Sequence, residues 1–466
     1  MMVWRLSGIW LWLSLTPLCL AYRFPNLEPI STQLETLRGL NFRKEVVAQR
    51  QNRVDFSAYV TRQLATVYPV ESYDRVAEGL ARLGMMAPTR NLLGQVKLLM
   101  ETQAAAYYDP ETDSFFVLDS AGQNPDTLAS YAAHELVHAL QDQHFDLMAL
   151  VAEVDRDYRN GFRDEDRIMA LRALVEGEAN YLMTLWELNR ELGSSSAEVG
   201  SQGLAITQSM SQMNLPQMLQ MVRDSARHSA KRAGLDKAQL DTIGRIPGYL
   251  VHPFYAAYLK GAWFVASLRV EHGWDAVSRA YEDPPRSSEQ ILHPRKYFGE
   301  PEERDLPTSM RFEAPKWLKR KGWQGIDEAI HGEFYLRMWL ERLEVPAKSA
   351  IAAAAGWDGD YYRAWRRTNG EVLVALSTTW DDAHEATQFT TTLRDTLTTR
   401  YGAGLKEAAP KTQNGAWRLR YECGEGLGTG LIVRHKREVF MVEGADLQTV
   451  QRLMRYLTRQ PIFHVR

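Results

Sequence analysis

The chain has 466 residues, 45% hydrophobic and 24% charged, a balance that fits a globular protein with ample core and excludes a disordered or low-complexity one. Its formal net charge of -3 leaves no basic excess and excludes a dedicated nucleic-acid binder. The length suggests more than one domain.

The N-terminus reads as a secretory signal. Arg5 is the positive n-region, Leu6 to Leu20 is apolar, and Ala21 offers a small residue for cleavage. The apolar stretch is short for a spanning helix, so cleavage is expected rather than an anchor. Cys19 is not preceded by the small residues of a lipoprotein signal. Cleavage after Ala21 leaves Cys423 as the remaining cysteine, so the expectation is a secreted or periplasmic protein held by its core rather than by disulfides. No later stretch is apolar enough to span a bilayer, and no stable membrane insertion is expected after cleavage. The expected domains are residues 1–21 as signal peptide, 22–345 as a catalytic domain and 346–466 as a C-terminal domain.

From Tyr22 to Asn52 the sequence is mixed and polar, a lead-in with one short strand. Phe56 to Met86 and Asn91 to Thr102 read as helical. Tyr107 to Ser120 reads as a hairpin, turning at Asp109-Pro110-Glu111-Thr112-Asp113 into the strand Ser114 to Leu118. The edge of that hairpin is a candidate platform for an extended peptide.

A helix is expected from Thr127 to Leu150, with Asp126 as N-cap. It carries His134-Glu135-Leu136-Val137-His138, an H-E-x-x-H motif. Positions i and i+4 fall about 40° apart on a helix, so both histidines can meet one ion. Glu135, beside the first ligand, is placed to move a proton. The motif has only three fixed residues, but Leu136, Val137 and Leu140 make this helix apolar enough for burial, and buried histidines need partners. A catalytic zinc takes three protein ligands. The third is expected to be Glu176, on a second helix within Ile168 to Leu192, rather than His144. His144 follows His138 by the six residues of H-E-x-x-H-x-x-G-x-x-H, but Gln141 stands where that pattern needs Gly. On a continuous helix His144 lies about 120° off the ligand face. Glu178 cannot share the metal with Glu176, being about 200° away round the helix. Asp142 is a candidate to orient a ligand, against the plainer reading of a surface carboxylate.

Ser194 to Gly203 reads as a small-residue linker. Ile206 to Asp241 reads as a helical pair with Met210, Met213, Met218 and Met221 as gap-fillers. Tyr255 to Tyr281 is amphipathic and helical, with Phe264, Leu268 and Trp274 as core, and Asp283-Pro284-Pro285 ends it. A helix starts near Ser287 to Gln290, followed by His293-Pro294-x-x-Tyr297. His293 and Tyr297 are candidate oxyanion donors, against a purely structural role in that loop. Met310 to Glu344 reads as mixed helix and Gly356 to Asp360 as a turn. Beyond it come a strand (Glu371 to Trp380), a helix (Ala383 to Tyr401), a strand (Trp417 to Cys423), a hairpin (Leu431 to Glu443) and a helix (Leu447 to Leu457), an order suggesting a small α+β sandwich. Gly424, Gly426, Gly428 and Gly430 lie between strands and read as a hairpin loop, not a phosphate loop.

His134-Glu135-x-x-His138 followed by Glu176-Gly177-x-Ala179 resembles the gluzincin branch of zinc metallopeptidases. That resemblance covers the active-site core alone, and the gap between His138 and Glu176 is longer than in the best-known gluzincins. Several phrases are similar to a group of secreted bacterial H-E-x-x-H proteins: Tyr107 to Thr112, His134 to Asp146, Ala173 to Ala179 and Pro284 to Pro294. The gluzincin resemblance implies a mainly helical, zincin-like core with a small edge sheet, Zn²⁺ on His134, His138 and Glu176, Glu135 as general base, and a peptide or protein as substrate. The fold class expected is therefore α+β. Two other functions stay open: a catalytically silent metallopeptidase-fold binding module of the cell envelope, and a metal-dependent hydrolase of a non-peptide amide. Nothing in the sequence bears on oligomeric state.

Overall fold

The computed structural model describes residues 26–460 apart from 68–69, 120–123, 160–161, 194–195, 215, 219, 222, 225–226, 228–240 and 242–245. The expected signal peptide and much of the Met-rich region lie outside the described residues. The chain is α+β and divides into two compact units, each assembled from separated segments. The first comprises Met1–Val70, Leu93–Arg156 and Ile168–Pro285, and the second Glu71–Leu92, Asp157–Arg167 and Arg286–Arg466. No helix among the described residues is long and apolar enough to cross a membrane.

The first unit is mainly helical and carries a three-stranded sheet. Ser114–Leu118 lies in the middle of that sheet, parallel to Val47–Gln51 and antiparallel to Ala106–Asp109. The helix Pro125–Phe145 begins at Asn124, whose side chain accepts from the backbone N–H groups of Asp126 and Thr127. The cap is thus Asn124 rather than the expected Asp126. Pro125 has no N–H to satisfy and a φ suited to the first helical position, so the cap falls just before it. Several helices were not expected, the following two among them. Leu27–Arg38 occupies part of the lead-in, and Ser196–Ser211 replaces the linker. The small residues of the latter are contact points: a Cβ on Gly203 would sit 2.5 Å from Leu185.

The helix Glu165–Leu192 carries Glu176, and it crosses the helix Gly248–Glu282 at almost bare backbone. A Cβ on Gly177 would lie 2.2 Å from the carbonyl carbon of Gly261, and one on Gly261 would lie 2.1 Å from the carbonyl oxygen of Ala173. Only glycine admits an approach this close. The longer helix holds Phe264 and Leu268 in the core, leaves Trp274 half-buried, and bends at Gly273, whose φ of 78° is not helical.

The second unit is built on a sheet that has nine strands among the described residues. Its order runs Arg163–Asp164, Gln324–Ile330, Trp357–Arg366, Val372–Trp380, Glu438–Ala445, Thr429–His435, Ala416–Glu422, Lys406–Glu407, with Lys411–Gln413 also on Ala416–Glu422. Successive side chains of a strand face opposite ways. Phe440 and Val442 therefore join Trp323, Trp365 and Leu373 in one core, to which the helix Leu447–Leu457 adds Val450, Leu453 and Leu457. Met441 and Glu443 face the other way, toward Arg400 of the helix Ala383–Tyr401.

This sheet crosses the domain boundary expected at 345/346, because Gln324–Ile330 pairs with Trp357–Arg366. The turn expected at Gly356 to Asp360 is instead a bulged strand start. The turn itself is confined to Gly356, with φ of 74°, and the register shifts between Trp357 and Gly359. Asp360, which looked like a turn residue, is buried and accepts from the backbone N–H groups of His331 and Gly332 and from the Trp357 indole.

The glycine crossing yields a test. Gly261→Ala should destabilise the folded protein by about 1–3 kcal/mol or more, since overpacking here meets backbone rather than a movable side chain. Chemical denaturation should show a lowered midpoint, and an unchanged midpoint would mean that the helices do not approach as described.

Candidate metal centre

His134 and His138 lie one helical turn apart on Pro125–Phe145, and Glu176 projects from Glu165–Leu192. The three converge. His134 Nε2 is 3.1 Å from His138 Nε2, and Glu176 Oε2 is 3.4 Å from the first and 3.6 Å from the second. Ligands at 2.0–2.1 Å from a tetrahedral ion stand about 3.3–3.4 Å apart, so these three atoms match one face of a zinc-type coordination sphere. All three residues are at most 2% exposed. Glu176 Oε2 is buried and has no hydrogen-bond partner. An orphaned buried carboxylate oxygen is costly unless a cation offsets it. The donor set therefore fits a divalent metal.

The protonation states agree with that fit. Burial pushes His138 below its ordinary pKa, although Glu176 pulls the other way. Burial opposes the charge of Glu176, but the two histidines outweigh it and hold its carboxyl below the usual value. A neutral imidazole and an ionised carboxylate are the forms that bind metal.

Glu135 is fully buried and is not one of the converging ligands. Its Oε2 accepts the backbone N–H of Tyr108 at 2.9 Å. Tyr108 lies on Ala106–Asp109, one of the two outer strands of the small sheet. The N–H that an added peptide strand would use at Tyr108 is thus already taken by Glu135.

His144 lies in the same helix as the motif but its Nε2 is 2.9 Å from the carbonyl oxygen of Asn41, away from the trio. Asp142, considered as a ligand-orienting group, instead accepts from the Tyr108 hydroxyl at 3.1 Å and from the Leu147 backbone at 3.1 Å. It holds the start of the next helix, Leu147–Arg159. Burial raises its pKa to about 6 in spite of those bonds.

Other functional neighbours escaped the sequence reading. Gln141 Oε1 lies 2.8 Å from His138 Nδ1. Glu178, excluded as a ligand, receives Gln141, Tyr281 and Arg38. The Tyr258 ring stacks on His134 with centroids 5.7 Å apart and planes 17° apart. Gln141 contacts His138 at i,i+3 within the motif helix, but the contacts of Glu178 and Tyr258 are made between separate helices and carry no spacing signal.

His293 and Tyr297 belong to the second unit. His293 Nε2 meets Glu333 Oε1 at 3.0 Å, and Glu333 holds its pKa above the ordinary value against the effect of burial. Tyr297 is half-buried in the short helix Arg295–Phe298. The same region gathers Glu289, Asp305 and Asp381 closely enough for a cation, but Lys296 Nζ already lies within 2.8 Å of a carboxylate oxygen of each.

A family model described as a domain of unknown function (DUF8575) matches residues 321–454. That segment lies in the second unit and does not include His134, His138 or Glu176. Neither the curated proteins nor the solved structures yield a match.

Purified protein should carry about one zinc ion per chain, and His134→Ala or His138→Ala should largely empty the site. Elemental analysis decides this, and full occupancy in both variants would contradict the site. A second expectation concerns pH. Because the folded state holds the Asp142 proton to about pH 6 while the ordinary carboxyl loses it near 3.8, this group costs stability as pH rises between those values. Asp142→Asn should therefore gain thermal stability over the wild type as pH is raised from 4 to 7. A stability difference independent of pH would contradict the burial of this carboxyl.

Proposed function

We propose that this protein is an exported zinc-dependent metallopeptidase. The observation that carries the reading is the approach of His134 Nε2, His138 Nε2 and Glu176 Oε2 to within 3.6 Å of one another, with Glu135 beside the first ligand. Bound zinc at such a site supplies an acidified water and a Lewis acid for the scissile carbonyl. The chain's own groups do the rest. His134, His138 and Glu176 would hold the ion. Glu135, anchored through one oxygen by the Tyr108 N–H, takes a proton from the attacking water and returns it to the departing amine. His293 and Tyr297, the oxyanion donors expected from the sequence, belong to the second unit, and the reading does not depend on them. Export rests on the N-terminal sequence alone.

One observation favours a second reading, a catalytically silent metallopeptidase-fold module. His134, Glu135, His138 and Glu176 are at most 2% exposed, and structural zinc sites are closed whereas catalytic ones keep an open position. A general base beside the first ligand has no purpose in such a module, which is why hydrolysis is preferred here. Hydrolysis of a non-peptide amide would use the same groups and differs only in substrate.

Glu135→Gln separates the readings. It keeps the side-chain shape and removes the basic carboxylate. On a casein-type substrate the variant should retain zinc and fold while losing about 10²–10⁴-fold in rate. Loss of zinc along with activity would make Glu135 structural. A wild-type protein that holds zinc yet cleaves no peptide would favour the silent module or the other amide.

A further inference from the structure

We propose that Gln141 is a positioning residue that fixes the tautomer of His138, and that Glu178, Tyr281 and Arg38 lock Gln141 in the one amide orientation that can do so. The purpose of this device rests on the metal reading above, but its geometry does not.

A histidine that offers Nε2 to a metal must carry its proton on Nδ1. His138 Nε2 points to the trio, and its Nδ1 lies 2.8 Å from Gln141 Oε1. An amide has a donor end and an acceptor end of nearly the same shape, so its orientation is set by what surrounds both. The other end of Gln141 lies 2.9 Å from the Val175 carbonyl oxygen, 3.0 Å from Glu178 Oε2 and 2.9 Å from the Tyr281 hydroxyl oxygen. A carbonyl and a carboxylate can only accept. Tyr281 donates its hydroxyl to Glu178 and so also presents a lone pair. The NH₂ end must therefore face this group, which turns Oε1 toward His138 and requires a proton on Nδ1.

The acceptor cluster is held from several sides. Arg38 donates through Nε to the other oxygen of Glu178, and both side chains are at most 2% exposed. The Arg38 guanidinium lies 4.7 Å from the Trp274 ring centroid and bonds Ser278 Oγ at 3.1 Å. The Tyr281 ring stacks on Phe145 at 4.2 Å with planes 9° apart. Helices Leu27–Arg38, Pro125–Phe145, Glu165–Leu192 and Gly248–Glu282 thus all contribute to the setting of one amide. A buried ion pair is seldom more stabilising than apolar residues of the same volume. Its placement behind a ligand-contacting glutamine points to orientation rather than to bulk stability.

The test begins with the metal-free wild type. Long-range ¹H–¹⁵N correlation at pH 7 should find the His138 proton on Nδ1. Gln141→Met keeps approximate size and removes the acceptor. It should abolish that tautomer preference and weaken zinc binding about 10–100-fold in competition with a chromogenic chelator. Glu178→Gln, which removes an obligate acceptor from the far end, should weaken zinc binding in the same direction. A His138 proton on Nε2 in the wild type would overturn the proposal, whether or not a variant folds. So would wild-type zinc affinity in Gln141→Met. A wild type that binds no zinc but has the Nδ1 tautomer, lost in Gln141→Met, would defeat the metal reading and leave the positioning role standing.

Discussion

Two imidazole nitrogens and a carboxylate oxygen held within 3.6 Å of one another, away from water, repel unless something positive lies among them. A proton can bridge one pair of the three, whereas a divalent cation satisfies all of them. Much of the first unit is arranged around this constraint. The motif helix supplies two of the atoms at a spacing that the helix itself enforces. The third comes from a helix pinned by the contact of Gly177 with Gly261. Behind the ligands, Gln141 and Glu178 occupy the polar capacity that would otherwise be left open in the interior.

The convergence of the trio was legible in the sequence for a local reason. His134 and His138 are four residues apart on one helix, and Glu176 lies in a segment whose apolar pattern marks a second helix. The helices Ala383–Tyr401 and Leu447–Leu457 were legible too, bounded by Asp382 and Asp446 as N-caps. What escaped depends on distant partners. Arg38 and Tyr281 stand 140 and 103 residues from Glu178, and no periodicity links them. The strand Gln324–Ile330 has no clear alternation, because its leading residues are exposed and its identity comes from pairing with Trp357–Arg366. Gly356 and Asp360 carry the composition of a turn, yet only the glycine turns, and the aspartate is consumed by backbone N–H groups. The Ser196–Ser211 helix was misread because small residues mean either a flexible tether or a close helix contact, and the sequence does not distinguish them.

The two units use polar groups differently. In the second, Glu443 is fully buried on a sheet strand and receives Arg400, Tyr401 and Tyr421, so its charge is spent on holding a helix to the sheet. Lys296 likewise ion-pairs with Glu289, Asp305 and Asp381 through its single ammonium. In the first unit, Glu176 Oε2 is left without such an internal partner. Acidic clusters occur in both units, but among the described residues only the one around Glu176 brings two histidine nitrogens and a carboxylate oxygen together.

The position of Tyr281 also has a consequence in time. Once residue 176 has been synthesised, all three side chains of the converging trio exist, yet the surroundings that orient them do not. The glycine contact waits for residue 261, and the last partner of Glu178 waits for residue 281. At roughly 5–20 residues per second, the ribosome takes about 5–20 s to cover that distance. During that interval the nascent chain displays two histidines and a glutamate without the framework that selects their geometry. The order of residues along the chain thus places the completion of the trio's surroundings late in the making of its unit, after the helix Gly248–Glu282 has been delivered.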